Sequence, residues 1–182
     1  EVVEAYGSIE ALQEGKAKGK TRFIGVSSVH PHLEKHLATG VYDVFQLPYS
    51  ALEPEHHEII TKIAEAGCGT IIRGGVAKGE PESAAVQKDR QANWKQTLGG
   101  SSGVKRWDMF EEAKLDEFLE EGETRTAFLL RFTLSHPHMH TTIVGTQNPS
   151  HLADNVAAAE RGALPPSDYA EVKRRLALVG FN

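Results

Sequence analysis

Short apolar runs alternate with longer amphipathic segments along most of this chain. Runs rich in β-branched residues and bounded by turn residues predict buried strands at 22–28, 44–47, 69–73 and 142–144. Apolar residues at helical spacing predict helices at 8–19, 31–38, 54–67, 114–120, 124–135 and 166–178, and one more after the turn at 145–150. Strands that alternate with helices in this way are typical of a parallel α/β fold.

The last two predicted helices have start signals in the sequence. Asn148 or Ser150 is expected to cap the helix that follows the turn at 145–150. The apolar positions of this helix are Leu152, Val156 and Ala157. Ser167 is expected to cap the final helix, whose last turn is rich in Lys and Arg, as the helix dipole favours.

The composition is that of a globular protein. The 182 residues are 40% hydrophobic and 25% charged, which is enough for one domain, 1–182, with a real core. A net charge of −5 argues against a nucleic-acid or anionic-membrane surface. The single cysteine, Cys68, excludes an internal disulfide and suits a reducing compartment, so we expect a cytoplasmic protein. The sequence shows no signal peptide, and because it lacks an initiator Met we expect a fragment of something longer.

Histidines cluster in two places, and neither cluster predicts a metal site. His56 and His57 are neighbours on a predicted helix and therefore point to different faces. His136, His138 and His140 precede the last strand without a carboxylate partner, so this loop is expected to be solvated rather than to bind metal.

Polar residues stand at the carboxyl ends of the predicted strands. Ser27 and Ser28 end the first strand, Gln46 lies in the second, and Arg73 ends the third. In a parallel sheet this end faces the ligand, so these side chains are candidates for a binding site. The turn at 145–150 precedes a helix N-terminus, where free amides can bind a phosphate, although an ordinary capped turn is the alternative.

The segments that carry these residues resemble the aldo-keto reductases. GTQNPSHLADN is similar to the family's last β/α loop, which holds the adenosine end of a nicotinamide cofactor. KTRFIGVSS is similar to a strand whose Ser and Asn bind the nicotinamide carboxamide, and Gln46 and Tyr49 match a Q-x-x-Y run whose Gln binds the same group. RGGVAKG stands where the family has YSPLARG, whose Tyr stacks on nicotinamide and whose next residues touch the pyrophosphate.

The resemblance implies a set of cofactor-binding residues. They are Ser27, Ser28, Gln46, Arg73, Gly74, Val76, Lys78, Gly145, Thr146, Gln147, His151, Asp154 and Asn155. The departures from the family pattern are Ser28 for Asn, Arg73 for Tyr, Gly74 for Ser and Val76 for Leu. A guanidinium can stack on a planar ring, so Arg73 can keep the stacking role. Tyr49 is expected to pack or to line the pocket rather than to do chemistry.

The resemblance covers nearly the whole chain but only half of the family fold. It corresponds to strands five to eight of a TIM barrel, whose complete form needs ~250 residues. The family's catalytic Tyr, Lys, Asp and His come from strands two to four, and no residue here matches their motifs, so no catalytic residue is predicted. The implied activity is hydride transfer between NADP(H) and a carbonyl or alcohol, with NAD as the alternative cofactor. We expect the isolated chain to be inactive.

Two other functions stay open, a non-catalytic cofactor-binding or regulatory module and a degenerate fragment whose binding residues are relics. The expected partners are a small-molecule carbonyl substrate and, because the two edges of a four-stranded sheet invite pairing, a second copy or a complementary N-terminal half. Residues 80–108 include a Gly-Gly-Ser-Ser-Gly run and predict a flexible loop insertion. This loop, with Trp94 and Trp107, is expected either to fold over the cofactor or to be a solvated surface insertion.

Overall fold

A computed structural model describes residues 7–76 and 103–180, with side chains for 7–76 and 107–180. The strands are β1 (Gly25–Ser27), β2 (Val44–Pro48), β3 (Gly69–Arg73) and β4 (Thr141–Ile143). The α-helices are α1 (Ser8–Ala17), α2 (His32–Ala38), α3 (His57–Glu65), α4 (Gly103–Glu112), α5 (Arg125–Leu134), α6 (Pro149–Arg161) and α7 (Pro166–Leu178). Two 3₁₀ helices span Pro54–His56 and Leu115–Phe118.

The described residues divide into two compact units. The sheet unit consists of 7–48, His56–Arg73 and Pro137–Ile143, and it holds all four strands with α1, α2 and α3. The helical unit consists of Tyr49–Glu55, 74–76, 103–136 and 144–180, and it holds α4 to α7.

The sheet has the order β1-β2-β3-β4, and every neighbouring pair is parallel. Parallel neighbours need a crossover connection, and α2 and α3 supply it after β1 and β2. The register places Ser27 beside Gln46, Gln46 beside Ile71, and Ile71 beside Thr141. The predicted parallel α/β fold is therefore confirmed.

Asp43 fixes the amino-terminal ends of the first three strands. Its carboxylate accepts the Ile24 backbone N–H at 2.9 Å and the Lys16 ammonium at 2.6 and 2.8 Å, while its carbonyl accepts the Gly69 N–H at 2.8 Å. The hydrogen bond from Lys16, and then that from Ile24, hold the pKa of Asp43 below its ordinary value.

The two faces of the sheet differ in burial. Side chains alternate along β2 and β3, so that Phe45, Leu47, Thr70 and Ile72 point to a buried face. Helix α3 packs against β3 and buries its three isoleucines. The opposite side, which we call the open face, carries the partly or fully exposed residues Gly25, Ser27, Val44, Gln46, Gly69, Ile71, Arg73, Thr141 and Ile143.

The helical unit is built on α5, which packs along α6. Thr124 caps α5 by accepting the Ala127 N–H at 3.1 Å. The core positions of α5 are Phe128, Leu129, Leu130 and Phe132. Arg131 lies among them with 4% exposure, and its guanidinium is neutralised by Glu120 at 2.7 Å and Glu123 at 3.0 Å.

Most predicted elements agree with the structure to within a few residues at each end. The strand at 69–73 matches β3, whereas the one predicted at 22–28 is confined to β1. The helix predicted at 54–67 begins as a 3₁₀ turn and continues as α3. Asn148, rather than Ser150, is the N-cap of α6, because its side chain accepts the Ser150 N–H.

One helix prediction and one loop prediction near residue 110 are wrong. The helix expected at 114–120 is only a 3₁₀ helix, and α4 begins at Gly103, inside the stretch predicted as loop. Trp107 therefore lies on a helix, 6% exposed, with its ring centroid 5.6 Å from that of Phe110. Trp94 and the remainder of the stretch up to residue 102 lie outside the described residues.

The apolar positions of α6 do not form its buried face. Leu152, Val156 and Ala157 are exposed, whereas Asn155 and Ala158 are buried. The small Ala158 side chain lets α5 and α6 pack closely, and this outweighs the larger apolar residues. Ser167 does not cap α7, because its hydroxyl contacts the carboxylate of Asp168 instead.

The loop of three histidines is solvated only in part, since His140 is exposed and His138 is half-buried. His136 is 2% exposed. The Thr70 N–H donates to His140 Nδ1 at 3.1 Å, the His140 N–H donates to the Thr70 hydroxyl at 3.0 Å, and this hydroxyl lies 3.0 Å from the His138 carbonyl. This loop therefore joins the start of β3 to the chain that enters β4.

Candidate functional site

Ser27 and Gln46 lie side by side on the open face of the sheet unit. They are register partners in β1 and β2, and the Ser28 N–H donates to the Gln46 carbonyl at 3.0 Å. Within the described part of the chain, the side chains of Ser27, Ser28 and Gln46 make no hydrogen bond. A hydroxyl beside a side-chain amide can both donate to and accept from a carboxamide, the group that the resemblance assigns to them.

Arg73 ends β3 on the same open face. It is half-buried and stands in register with Pro48 and Ile143. Its guanidinium forms no hydrogen bond, ion pair or cation–π contact with another described residue. The guanidinium is therefore available to stack on a planar ring or to pair with an anion.

Tyr49 is a packing residue of the helical unit, as expected. It is 1% exposed, its hydroxyl lies 3.0 Å from that of Tyr169, and its ring contacts Phe132 and His136. Burial, and then the neighbouring Tyr169, raise the pKa of Tyr49 well above its ordinary value. A phenol so placed does not exchange its proton with a ligand near neutral pH.

The loop after β3 depends on two residues that the sequence did not single out. The Thr133 hydroxyl on α5 donates to the Gly75 carbonyl at 3.1 Å, and a hydroxyl within an apolar helix face is the signal that would have found it. Gly74 has a φ of +71°, and a Cβ there would lie 3.2 Å from Glu53 Oε2. The Glu53 charge works against a pyrophosphate at Gly74. Val76 is half-exposed, and Lys78 lies outside the described residues.

The turn between β4 and α6 is held by its own side chains. The Thr146 hydroxyl accepts the Asn148 N–H at 3.1 Å, and Asn148 Oδ1 accepts the Ser150 N–H at 3.0 Å. Gly145 and Gln147 are exposed, and no atom lies within 4 Å of a Cβ added to Gly145. The backbone is thus open to a ligand at Gly145.

The first turns of α6 present three predicted site residues with different exposure. His151 and Asp154 are exposed, whereas Asn155 is 8% exposed. The side-chain amide of Asn155 has no hydrogen bond to any described residue. The Asn155 amide therefore keeps the donors and the acceptor that a base edge needs.

The donor groups fit parts of a nicotinamide dinucleotide. In the sheet unit, Ser27 and Gln46 suit a carboxamide and Arg73 suits an aromatic ring. In the helical unit, the start of α6 suits a phosphate and Asn155 suits adenine. The carboxylate beside Gly74 is the one feature that does not fit.

Among the described residues, no group of three or more His, Cys, Asp and Glu side chains is arranged to hold a metal ion. Within the same residues, no helix has the length and apolar character needed to cross a bilayer.

Comparison with known proteins matches this chain to reductases. It is 24% identical over 153 residues to the uncharacterized oxidoreductase YqkF of Bacillus subtilis (strain 168), covering 84% of this chain and 49% of that protein. The structure is similar to the holo form of the aldo-keto reductase AKR11C1 from Bacillus halodurans, with a TM-score of 0.70, 24% identity and coverage of 92% of this chain and 54% of that one. The thermostable aldo-keto reductase Tm1743 gives a TM-score of 0.59 and 18% identity, with 92% of this chain and 53% of that chain covered.

The structural relatives are TIM barrels, and the chain spans about half the length of the relatives it matches. The four parallel strands therefore correspond to about half of a barrel. The model of the aldo/keto reductase family matches residues 4–176, which is nearly the whole chain. This chain belongs to the aldo/keto reductase family.

Proposed function

We propose that this chain binds a nicotinamide dinucleotide as part of an oxidoreductase that transfers hydride between NADP(H) and a carbonyl or alcohol. The observation that carries the proposal is the state of two side-chain amides. Gln46 and Asn155 stand where the family resemblance assigns the two ends of the cofactor, and neither amide has a hydrogen bond to a described residue. A ligand that supplies the missing partners is stabilised by each of them.

The residues have separate roles in this proposal. Gln46 and Ser27 hold the carboxamide, Ser28 assists through its hydroxyl, and Arg73 stacks on the nicotinamide ring. Gly145, Thr146 and Gln147 line the adenosine phosphate, with His151, Asp154 and Asn155 around the adenine. The bound cofactor supplies the hydride, and the substrate is a small carbonyl compound. The cytoplasm, which holds reduced cofactor and keeps Cys68 reduced, is the proposed location.

The chain by itself is proposed to bind cofactor without catalysis, which makes a non-catalytic binding module the second candidate. Carbonyl reduction needs a proton donor beside the carbonyl. Tyr42 and Tyr49 are buried and Tyr169 is half-buried, and the pKa values of Tyr49 and Tyr169 are raised, first of all by burial. None of these described tyrosines is suited to give up a proton to a substrate near neutral pH.

Fluorescence titration of the pure chain with NADPH, and separately with NADH, tests the proposal. We expect saturable binding and an affinity about 10-fold weaker for Gln46→Ala, which removes hydrogen bonds worth about 1 kcal/mol each. Gln13→Ala on α1 is the matched control, because Gln13 is exposed and lies near Lys16 and Asp43, at the amino-terminal ends of the strands. It should bind like the parent chain.

Three results would contradict parts of this proposal. If neither nucleotide binds, or if Gln46→Ala and Gln13→Ala bind equally well, the carboxamide role of Gln46 is wrong. Carbonyl reduction that scales with the amount of pure chain would refute the absence of catalysis. Equal affinity for NADPH and NADH would contradict the proposed preference for NADP. Between residues 145 and 156, His151 is the only side chain that could carry a positive charge to attract the extra phosphate of NADP.

A further inference from the structure

The carboxylate of Glu53 lies beside the loop that follows β3, and both belong to the helical unit. A Cβ added to Gly74 would lie 3.2 Å from Glu53 Oε2, so the carboxylate reaches the backbone of this loop. The backbone of Glu53 is fixed by Ser50, because each of these two residues donates its N–H to the carbonyl of the other, at 3.1 and 3.2 Å. The loop after β2 therefore places a charged acceptor against the loop after β3.

The loop after β3 also presents backbone donors. The N–H groups of Gly74, Gly75 and Val76 donate to no other described residue. Gly75 is buried, and its carbonyl accepts the hydroxyl of the buried Thr133 at 3.1 Å. The C=O and the next N–H of a trans peptide point in opposite directions, so this contact turns the Val76 N–H away from α5. Backbone donors thus lie in the same loop that the carboxylate reaches.

A hydroxyl suits this combination of groups better than a phosphate does. A phosphate accepts hydrogen bonds from amides, but its negative charge is repelled by a carboxylate. A hydroxyl accepts from an amide and donates to a carboxylate, which is how dinucleotide-binding proteins use a carboxylate to hold a ribose. Glu53 has a further interaction within the chain, and because a carboxylate has about four acceptor sites, it can accept a ligand hydroxyl as well.

We infer that Glu53 and the amides of the loop after β3 bind the hydroxyls of the nicotinamide ribose, and that Thr133 is a positioning residue for these amides. The inference rests on the proposed function, in which Arg73 stacks on the nicotinamide ring. Gly74 is the next residue after Arg73, and the ribose is the next group after the ring, so this sugar is the part of the ligand nearest to Gly74. A ribose contact therefore replaces the pyrophosphate contact that the family resemblance implies for Gly74.

Isothermal titration calorimetry of the full 182-residue chain with NADPH tests the role of Glu53. We expect Glu53→Gln to weaken binding about 10-fold, because the charge-assisted hydrogen bond from the ribose is lost. A pyrophosphate at this position gives the opposite sign, since removal of the negative charge would then strengthen binding. Glu160→Gln is the matched control, because Glu160 is exposed in the last turn of α6, at the end opposite to its N-terminal turn. It should bind NADPH like the parent chain.

The ligand and Thr133 supply two further readouts. The NADPH analogue whose nicotinamide ribose lacks both hydroxyls should bind the parent about 10-fold more weakly than NADPH, and Glu53→Gln should distinguish the two ligands less. Thr133→Val should weaken NADPH binding roughly 5-fold, and Thr133→Ser, which keeps the hydroxyl, should recover it. Adenosine 2′,5′-bisphosphate, which lacks the nicotinamide half, should bind the parent and all of these variants equally.

The outcomes separate this inference from the proposed function. Unchanged or tighter NADPH binding by Glu53→Gln would overturn the ribose contact and leave the proposed function standing, as would equal binding of NADPH and the analogue by the parent. A loss in Thr133→Val that Thr133→Ser does not recover would overturn the positioning role. If the proposed function itself fails, the parent binds neither NADPH nor adenosine 2′,5′-bisphosphate, and the ribose contact is overturned with it.

Discussion

Replacing Arg131 by Met is expected to destabilise the helical unit strongly. The Arg131 side chain is 4% exposed, and its guanidinium is 3.0 Å from a carboxylate of Glu123 whose side chain has 0% exposure. Burial alone would lower the pKa of Arg131, but the hydrogen bonds that it donates to the carboxylates of Glu123 and Glu120 outweigh this effect and raise the pKa. Met keeps most of the aliphatic volume and removes the charge. Of its described partners, Glu123 would then keep only the Glu120 backbone N–H, at 3.1 Å, for its buried carboxylate.

The size of the effect follows from these contacts. Removing one partner of a buried ion pair costs about 3–5 kcal/mol. Glu120 is 54% exposed and is rehydrated at little cost, whereas the Gly162 carbonyl at the end of α6 loses a donor at 3.2 Å. A loss of about 4 kcal/mol, with a urea m-value of about 2 kcal/mol per M, lowers the unfolding midpoint by about 2 M.

Urea unfolding followed by far-UV circular dichroism measures this shift. The double variant Arg131→Met/Glu123→Gln removes both charges and should recover at least half of the loss. Lys18→Met is the control, because Lys18 pairs with Glu14 on an exposed surface and its loss should leave the midpoint unchanged. The reasoning is refuted if Arg131→Met costs less than about 1 kcal/mol or if the double variant is no more stable than the single one.

Three further predictions concern stability. Gly25→Ala should cost roughly 1–3 kcal/mol in urea unfolding, because its Cβ would lie 2.7 Å from the Val44 carbonyl oxygen; an unchanged midpoint would contradict the β1–β2 register. Thr70→Val should cost about 1–2 kcal/mol by losing the hydroxyl contacts to the loop at His140, whereas Thr70→Ser should retain most of the stability. Two arginines on α7 lower the pKa of Glu171 from its ordinary value of 4.5 to about 2. The lowered pKa of Glu171 stabilises the folded state at pH values above 4.5, and this stabilisation is lost as the pH falls from 4.5 through about 2. Over that interval the stability of the parent should therefore fall more steeply with pH than that of Glu171→Gln. Equal slopes of stability against pH would contradict the pairing.

The elements that local pattern predicts well are those whose burial is also local. The β-branched residues of β3 and the isoleucines of α3 point inward as their spacing requires. Helix α4 was missed because its stability comes from burying Trp107 and Phe110, which is a tertiary effect. The exposed Leu152 and Val156 on α6 are the complementary case, since an apolar residue carries no information about which surface is present to cover it.

The candidate site shows the same division between local and distant information. Its residues were found through short motifs, and the cap of α6 is a contact between near neighbours in the chain. The bonds of His140 to Thr70 span 70 positions, and the carboxylate of Glu53 beside Gly74 comes from another loop. The sequence of a single segment cannot predict such contacts, because only the folded chain brings these side chains together.

The two ends of the sheet use their polar groups in opposite ways. At the amino ends, Asp43 and Thr70 each take part in several hydrogen bonds, which lock the strands in register. At the carboxyl ends, the side chains of Gln46 and Arg73 have no hydrogen bond to any described residue. Gln46 and Arg73 are partly exposed, so water can solvate their polar groups when no ligand is bound. The carboxyl end is therefore the end whose polar side chains stay available to a ligand, and this difference between the two ends is a physical reason to look there for one.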